Sequence, residues 1–205
     1  MPPRIYLAST SPRRRELLRQ IGVQFNLLVA RSSERSPDDE VDESPLAGER
    51  VEDYVERLAL AKADSGFRRL AWRHLPQLPL LAADTTLGLD GDIIGKPDSP
   101  EHAQEILRRL SGRAHHVLTA VAMCDGRERQ SRTSISEVRF RALTDAEIRH
   151  YVATGEPMDK AGAYGIQGRA AVFIEEIRGS YSGIMGLPIF ETAQLLDAFG
   201  YPLHS

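Results

Sequence analysis

The fold is decided in Leu78-Pro-Leu-Leu-Ala-Ala-Asp84-Thr-Thr-Leu-Gly-Leu-Asp90-Gly91-Asp-Ile-Ile94-Gly-Lys96-Pro97. Leu78 to Ala83 is a short apolar run bounded by a proline and a carboxylate, the pattern of a buried strand. Asp90-Gly91 separates Thr85–Leu89 from Asp92–Ile94, and an Asp-Gly pair between two such runs is a strong hairpin signal. A two-residue turn there makes partner numbers sum to 181. Thr85 then faces Lys96, with Asp84 one residue further along the ladder. A carboxylate closing an apolar strand is thus brought near a lysine at Gly95-Lys96-Pro97, where the chain turns away. The competing reading is a surface ion pair, which adds little to stability.

Ile5 to Ala8 upstream reads as a first strand. Ser11-Pro12 opens a helix carrying Leu17, Leu18 and Ile21 and stopping at Gly22, with Ser as N-cap and Pro at the first helical position. Val23 to Ala30 forms a second strand. Residues 31–49 are polar and acidic with two prolines, which predicts a mobile loop to which no structure is assigned. Val51, Tyr54, Val55 and Leu58 follow helical spacing, giving a helix to about Ser65. Downstream, Ala103, Ile106, Leu107 and Leu110 mark a helix. His116–Cys124 and Ser134–Arg141 form two long strands able to pair, and Asp145–Thr154 a short helix. Gly155–Gly168 is glycine-rich, a loop shaped around something. Phe173–Ile177 is a strand and Pro188–Phe199 a final helix. Mixed strands and helices with a hairpin predict an α/β or α+β fold, not a clean βαβ repeat. No internal repeat is visible.

The 205 residues are 41% hydrophobic, enough for one substantial core or two small lobes sharing a cleft. A net charge of −3 and a pI near 6.1 speak against general nucleic-acid binding, but allow a local pocket for a small anion. Cys124 is the one cysteine, so no intramolecular disulfide or cysteine metal cluster forms; between Val121 and Asp125 it reads as a buried strand residue. The start carries no signal-like apolar run and no segment has membrane-span length, so a soluble intracellular protein is expected. His115 and His116 are neighbours on a strand, point to opposite faces and make a poor metal site. Neither a Walker loop nor a dinucleotide fingerprint is present, and no serine elbow.

Two features sit where stability would not put them. The first helix begins Ser11-Pro12-Arg13-Arg14-Arg15, and cations are mildly unfavourable at a helix N-terminus. Free N–H donors beside guanidinium forks make a good phosphate cradle. A solvated basic patch is an equally open reading of these residues alone. Lys62 lies in line with the apolar stripe of its helix, four residues after Leu58. It either snorkels to solvent, the commoner outcome, or points into a cleft.

Together these stretches resemble the Maf family, the septum-formation inhibitor-like nucleotide pyrophosphatases. Leu7-Ala-Ser-Thr-Ser-Pro-Arg-Arg14 is similar to its opening signature, and Tyr54-Val-Glu-Arg-Leu-Ala-Leu-Ala-Lys-Ala63 to its lysine helix. Ala82-Ala-Asp-Thr85, Gly95-Lys-Pro97, Ser111-Gly-Arg-Ala-His-His-Val-Leu-Thr119, Gly155 to Gly168, Gly179-Ser-Tyr181 and Gly186-Leu-Pro188 follow in the family's order. The likeness runs from about Tyr6 to Phe199.

The resemblance implies a single domain over residues 1–205, an elongated mixed-sheet α/β fold with two lobes around a deep central cleft, similar to inosine triphosphate pyrophosphatases. It implies a cytoplasmic homodimer acting on a small-molecule nucleotide, with no membrane or nucleic-acid partner. It implies a divalent metal and hydrolysis between the α- and β-phosphates. Carried onto this chain, Asp84 is the proton acceptor and one possible metal ligand. Ser9, Arg13, Arg14, Lys62 and Lys96 hold the triphosphate, bordered by Asp159 and Lys160. Arg13, Thr85 and Gln167 match the positions that mark the subgroup resembling dTTP/UTP pyrophosphatases. The sister subgroup, which prefers 7-methyl-GTP, has Trp at position 13, Gln at 85 and Glu at 167.

The chemistry fits these residues. A triphosphate carries about four negative charges, which must be neutralised for attack at phosphorus. Oxygen ligands and a phosphate substrate favour Mg²⁺ or Mn²⁺. Two alternatives are a pyrophosphatase for 7-methyl-GTP or other modified nucleotides, and a non-catalytic nucleotide- or nucleic-acid-binding regulator of cell division. A panel of nucleoside triphosphates separates them.

Overall fold

The apolar run that begins at Leu80 continues without a break to Leu89 and forms the central strand of the sheet. The computed structural model describes residues 4–29, 41–201 and 203. Residues 30–40, which include most of the expected acidic loop and the end of the expected second strand, lie outside the described residues. In chain order the strands are β1 (Ile5–Leu7), β2 (Phe25–Leu27), β3 (Leu80–Leu89), β4 (Asp92–Ile94), β5 (Ala114–Cys124), β6 (Arg129–Phe140) and β7 (Ile174–Arg178). The helices are α1 (Pro12–Gln20), α2 (Val51–Trp72), α3 (Pro100–Leu110), α4 (Asp145–Val152), α5 (Tyr181–Ile184) and α6 (Ile189–Ala198). The strands join in one mixed sheet of order β2-β1-β3-β5-β6-β7, with β4 also on β3. This is the expected mixed α/β class. No helix among the described residues is long and apolar enough to cross a membrane.

Local chemistry accounts for the main elements. Ser11 caps α1 by accepting the Arg14 N–H at 3.4 Å, with Pro12 at the first helical position. Asp90 and Gly91 hold φ of 56° and 87°, as a two-residue hairpin turn requires. The helix expected to end near Ser65 instead runs to Trp72. Gly66 does not break it, because the helix packs so closely on β3 that a Cβ there would sit 2.9 Å from a Leu80 methyl. Glycine's helix cost is offset by that approach.

The hairpin register also needs correction. Leu89↔Asp92, Gly88↔Ile93 and Leu87↔Ile94 pair as the number rule predicts, but the ladder stops there. Thr85 does not face Lys96; it pairs with Thr119 on β5. The Gly95 carbonyl accepts the Gly162 N–H at 3.0 Å, which draws the chain away from β3 before Lys96 is reached.

Strand pairing also makes the opening for a site. β1 runs parallel to β3 at Leu80 and Leu81, and β4 covers Leu87 to Leu89. Between them that edge of β3 has no strand partner among the described residues, and Asp84 and Thr85, on opposite faces, both line the space there. Diverging strands beside a central strand are where open α/β sheets take ligands. Three apolar clusters support the gap: α2 against one face, α1 and α6 against the other, and α3 and α4 beyond the hairpin.

Candidate active site

The gap opens into a cleft of about 1110 Å³. Its walls hold the cations Arg13, Arg14, Lys62, Arg69, Lys96 and Lys160 and the carboxylates Glu43, Asp84 and Asp159. These come from α1, the segment before α2, α2 itself, β3, the turn after β4 and the glycine-rich loop, so elements distant in sequence converge. Ser9 and Thr85 line the same space.

Asp84 is 8% exposed on the α2 face of β3. Lys62 reaches up from α2 and donates to Asp84 Oδ1 at 2.6 Å. The same Nζ lies 2.6 Å from Glu43 Oε1. Lys62 therefore points into the cleft, and the lysine bonded to Asp84 is Lys62, not the Lys96 that the hairpin rule offered. Lys96 lines the cleft, with its side chain exposed. Burial pushes the Glu43 carboxyl up, but the Lys62 hydrogen bond and charge, with Lys96 and Arg14 behind them, bring it below the usual range.

Glu43 was hidden in the acidic run, where nothing in composition separates it from Asp42 or Glu40. It is held from α2. Tyr54 donates its hydroxyl to the Glu43 carbonyl at 2.8 Å. Arg57 grips Glu49 with Nε at 2.6 Å and Nη2 at 2.8 Å, and donates to the Ser44 carbonyl at 3.1 Å. That fork lowers the Glu49 carboxyl to about 2. Residues 41–49 are therefore tied down, contrary to the expectation of a structureless loop throughout 31–49.

On the other face, Arg14 is held at three nitrogens. Nε donates to the Gly186 carbonyl at 2.7 Å, Nη2 to Thr85 Oγ1 at 3.2 Å and Nη1 to Ser9 Oγ at 3.4 Å. Burial lowers the Arg14 pKa, while Asp84 opposes the shift; a guanidinium stays charged regardless. Gly186 has φ of 105°, a backbone conformation that only glycine adopts freely. Arg13 and Arg14 thus line the cleft, Arg15 does not, and a solvated patch does not describe Arg14.

The glycine-rich loop closes the wall. Lys160 bonds Asp159 Oδ1 and the Glu156 carbonyl, each at 2.6 Å. Burial pushes Asp159 up, but Lys160 outweighs it and the carboxyl lies below its ordinary value. Tyr164 lines the cleft and meets His115 Nε2 at 2.8 Å. His115 is 1% exposed, and burial lowers it to about 4. His116 faces solvent, as strand alternation predicts. Gln167 is the one candidate that the fold does not bring into the wall: Gly165 and Ile166 line the cleft, while the Gln167 side chain is exposed. Cys124 is buried, donates to the Ala63 carbonyl at 3.5 Å, and its thiol is pushed up to about 12. It is core.

No group of three or more His, Cys, Asp or Glu side chains placed to hold a metal ion occurs among the described residues. Asp84 and Glu43, however, converge on one ammonium. A pair of hard carboxylates completed by substrate oxygens suits Mg²⁺, which is commonly held by one or two carboxylates plus phosphates.

The family model described as Maf-like protein matches residues 4–199. A dTTP/UTP pyrophosphatase of Aromatoleum aromaticum is 73% identical over 200 residues, covering 98% of this chain and 97% of its own length. The dTTP/UTP pyrophosphatase of Dechloromonas aromatica is 55% identical, covering 97% of this chain and 98% of its own. Among solved structures, the Staphylococcus aureus Ham1 protein aligns over 96% of this chain and 97% of its own at 16% identity, with a TM-score of 0.49.

Proposed function

This chain belongs to the Maf family, and from that premise we propose that it hydrolyses dTTP and UTP to the nucleoside monophosphate and pyrophosphate. The observation that carries the reading is the buried Asp84, flanked by Lys62 in a cleft with five further cationic residues in its lining. A pure phosphate binder gains nothing from a buried carboxylate. A hydrolase needs one as a base.

Arg14, Arg13, Lys62, Lys96 and Lys160 neutralise the phosphates, and the three-point hold on Arg14 means little reorganisation accompanies the reaction. Asp84 Oδ1 is bonded to Lys62, and no described residue bonds Oδ2. Oδ2 accepts the proton of a water whose oxygen bonds to the α-phosphorus. The bond from that phosphorus to the bridging oxygen breaks, and pyrophosphate leaves with the electron pair. Asp84 and Glu43 are the residues that would hold a divalent cation, Mg²⁺ or Mn²⁺. When bound, it supplies positive charge to the phosphates and to the attacking water. The reading is completed by a cytoplasmic homodimer, with a small-molecule partner and no nucleic acid.

For Gln167 to read the pyrimidine edge, its exposed side chain must turn in from beside Gly165 and Ile166 when substrate binds. Uracil and thymine share O4, N3–H and O2, which one side-chain amide meets with a donor and an acceptor. The test is a panel of nucleoside triphosphates with Mg²⁺, assayed for pyrophosphate. UTP and dTTP should lead and 7-methyl-GTP should be poor. Gln167→Glu should cut UTP turnover about ten- to hundredfold, since a mispaired polar group costs about 1–3 kcal/mol. A preference for 7-methyl-GTP overturns the substrate assignment, and no pyrophosphate from any nucleotide overturns the enzyme.

A further inference from the structure

Thr119 is 0% exposed and touches no open space, yet it sits at the end of a hydroxyl relay that begins in the cleft. It lies directly opposite Thr85 across β3 and β5. Arg14 Nη2 is 3.2 Å from Thr85 Oγ1, Thr85 Oγ1 is 3.0 Å from Thr119 Oγ1, and Thr119 donates to the Gly183 carbonyl at 2.7 Å. A hydroxyl has one proton to give, and a carbonyl gives none. Thr119's proton is committed to Gly183, so the bond between the threonines takes Thr85's proton. Thr85 is left facing Arg14 as an acceptor only. The direction of the whole relay is therefore set by the α5 backbone.

Two consequences follow for the cleft. Of the five guanidinium N–H groups of Arg14, three are engaged, on Gly186, Thr85 and Ser9, and one on each terminal nitrogen remains for a ligand. Thr85 also has no proton left for a base carbonyl, so residue 85 affects substrate choice through the pose of Arg14. Gly183 and Gly186, at the end of α5 and just after it, hold the far ends of both tethers.

We propose that Thr119 is a positioning residue for phosphate binding: through Thr85 it fixes the direction of the Arg14 guanidinium and couples it to the 183–186 backbone. This rests on the pyrophosphatase reading above. Thr119→Val keeps volume and removes the hydroxyl, and Thr119→Ser keeps the hydroxyl. With UTP and Mg²⁺, Thr119→Val should lower kcat/KM about tenfold or more, chiefly through KM, while Thr119→Ser recovers most of the loss. In an Arg14→Ala background the same Thr119→Val change should add less than about twofold, because the residue through which it acts is gone. Equal losses in Val and Ser variants, or a full additional loss without Arg14, overturn the proposal.

A second measurement needs no turnover. The Arg14 Nε–H signal of the free enzyme, bonded to Gly186, should stay protected from exchange in wild type and Thr119→Ser and lose protection in Thr119→Val. Inorganic tripolyphosphate should bind correspondingly weaker to the Val variant. An unchanged Arg14 signal and unchanged tripolyphosphate affinity sink the proposal. A wild-type protein inert towards every nucleotide sinks only the function on which it rests.

Discussion

Arg14 and Glu43 face the same cleft from opposite sides of β3, and they are held differently. Arg14 is fixed by two buried-strand hydroxyls in series, by Ser9 and by the carbonyl of Gly186. Glu43 rides on a segment joined to α2 by side chains, the Tyr54 hydroxyl and the Arg57 fork. Exposure follows the same division: the Glu43 side chain is 50% exposed, while Thr119 behind Arg14 is 0%. The Arg14 side is tethered to the central sheet through Thr85 on β3 and Thr119 on β5. The Glu43 side is attached by contacts that local motion can break. A cleft built this way holds one face of a phosphate chain in a prearranged fork and lets a second carboxylate adjust around whatever completes the site.

The largest expected effect comes from the residue between the two walls. Asp84→Asn removes charge and almost no volume, so pyrophosphate release should fall about 10²–10⁴-fold while tripolyphosphate still binds. Retention of more than about a tenth of the activity would show that Asp84 is not the base.

Glu43→Gln should act on the adjustable wall alone. We expect a ten- to hundredfold loss of kcat/KM, with a higher Mg²⁺ concentration needed for half-maximal rate, as for weakened metal sites. The melting temperature should not move, since the side chain is half in solvent. A normal rate with an unchanged Mg²⁺ titration would reduce Glu43 to a surface partner of Lys62.

The smallest effect sharpens the rigid side. His115 supports Tyr164 from inside the core and is lowered from 6.5 to about 4. Between those values the unfolded chain binds the proton that the folded one refuses, so stability is full above about pH 6.5 and falls as pH drops towards 4. The whole span is worth about 3 kcal/mol. Melts of wild type from pH 7 to 4.5 should therefore slope downward, and His115→Gln should flatten that slope whatever its own stability. Parallel slopes would mean that His115 is protonated as readily in the folded protein as in the unfolded chain.

Much of the framework is legible in the residues. The Asp90-Gly91 turn and its number rule follow from the positive φ that such turns demand, and Ser11-Pro12 caps α1 because that pair satisfies free N–H groups. Arginines against a helix dipole and a lysine in an apolar stripe both mark the cleft, since neither placement helps a helix by itself. Less legible was how far a regular pattern extends. The spacing that predicts α2 ends near Ser65, yet the helix continues through Gly66, which is a point of close contact with Leu80. The ladder looked as if it reached Lys96, and a bond from Gly162 to Gly95 ends it two residues earlier.

Local chemistry by itself thus determined the element types, the turn register, the α/β class and the charged residues worth attention, because propensity, capping and periodicity act over a few neighbours. Tertiary structure alone decided the pairings. Asp84 meets Lys62 and not Lys96 because α2 crosses the same face of β3, and Glu43 joins them because Arg57 anchors a segment that carries no periodic signal. Thr119 acquires its place only when β5 lies beside β3 and α5 settles above it. Such contacts join residues tens of positions apart, and no periodic pattern within either segment encodes which partner the other will supply.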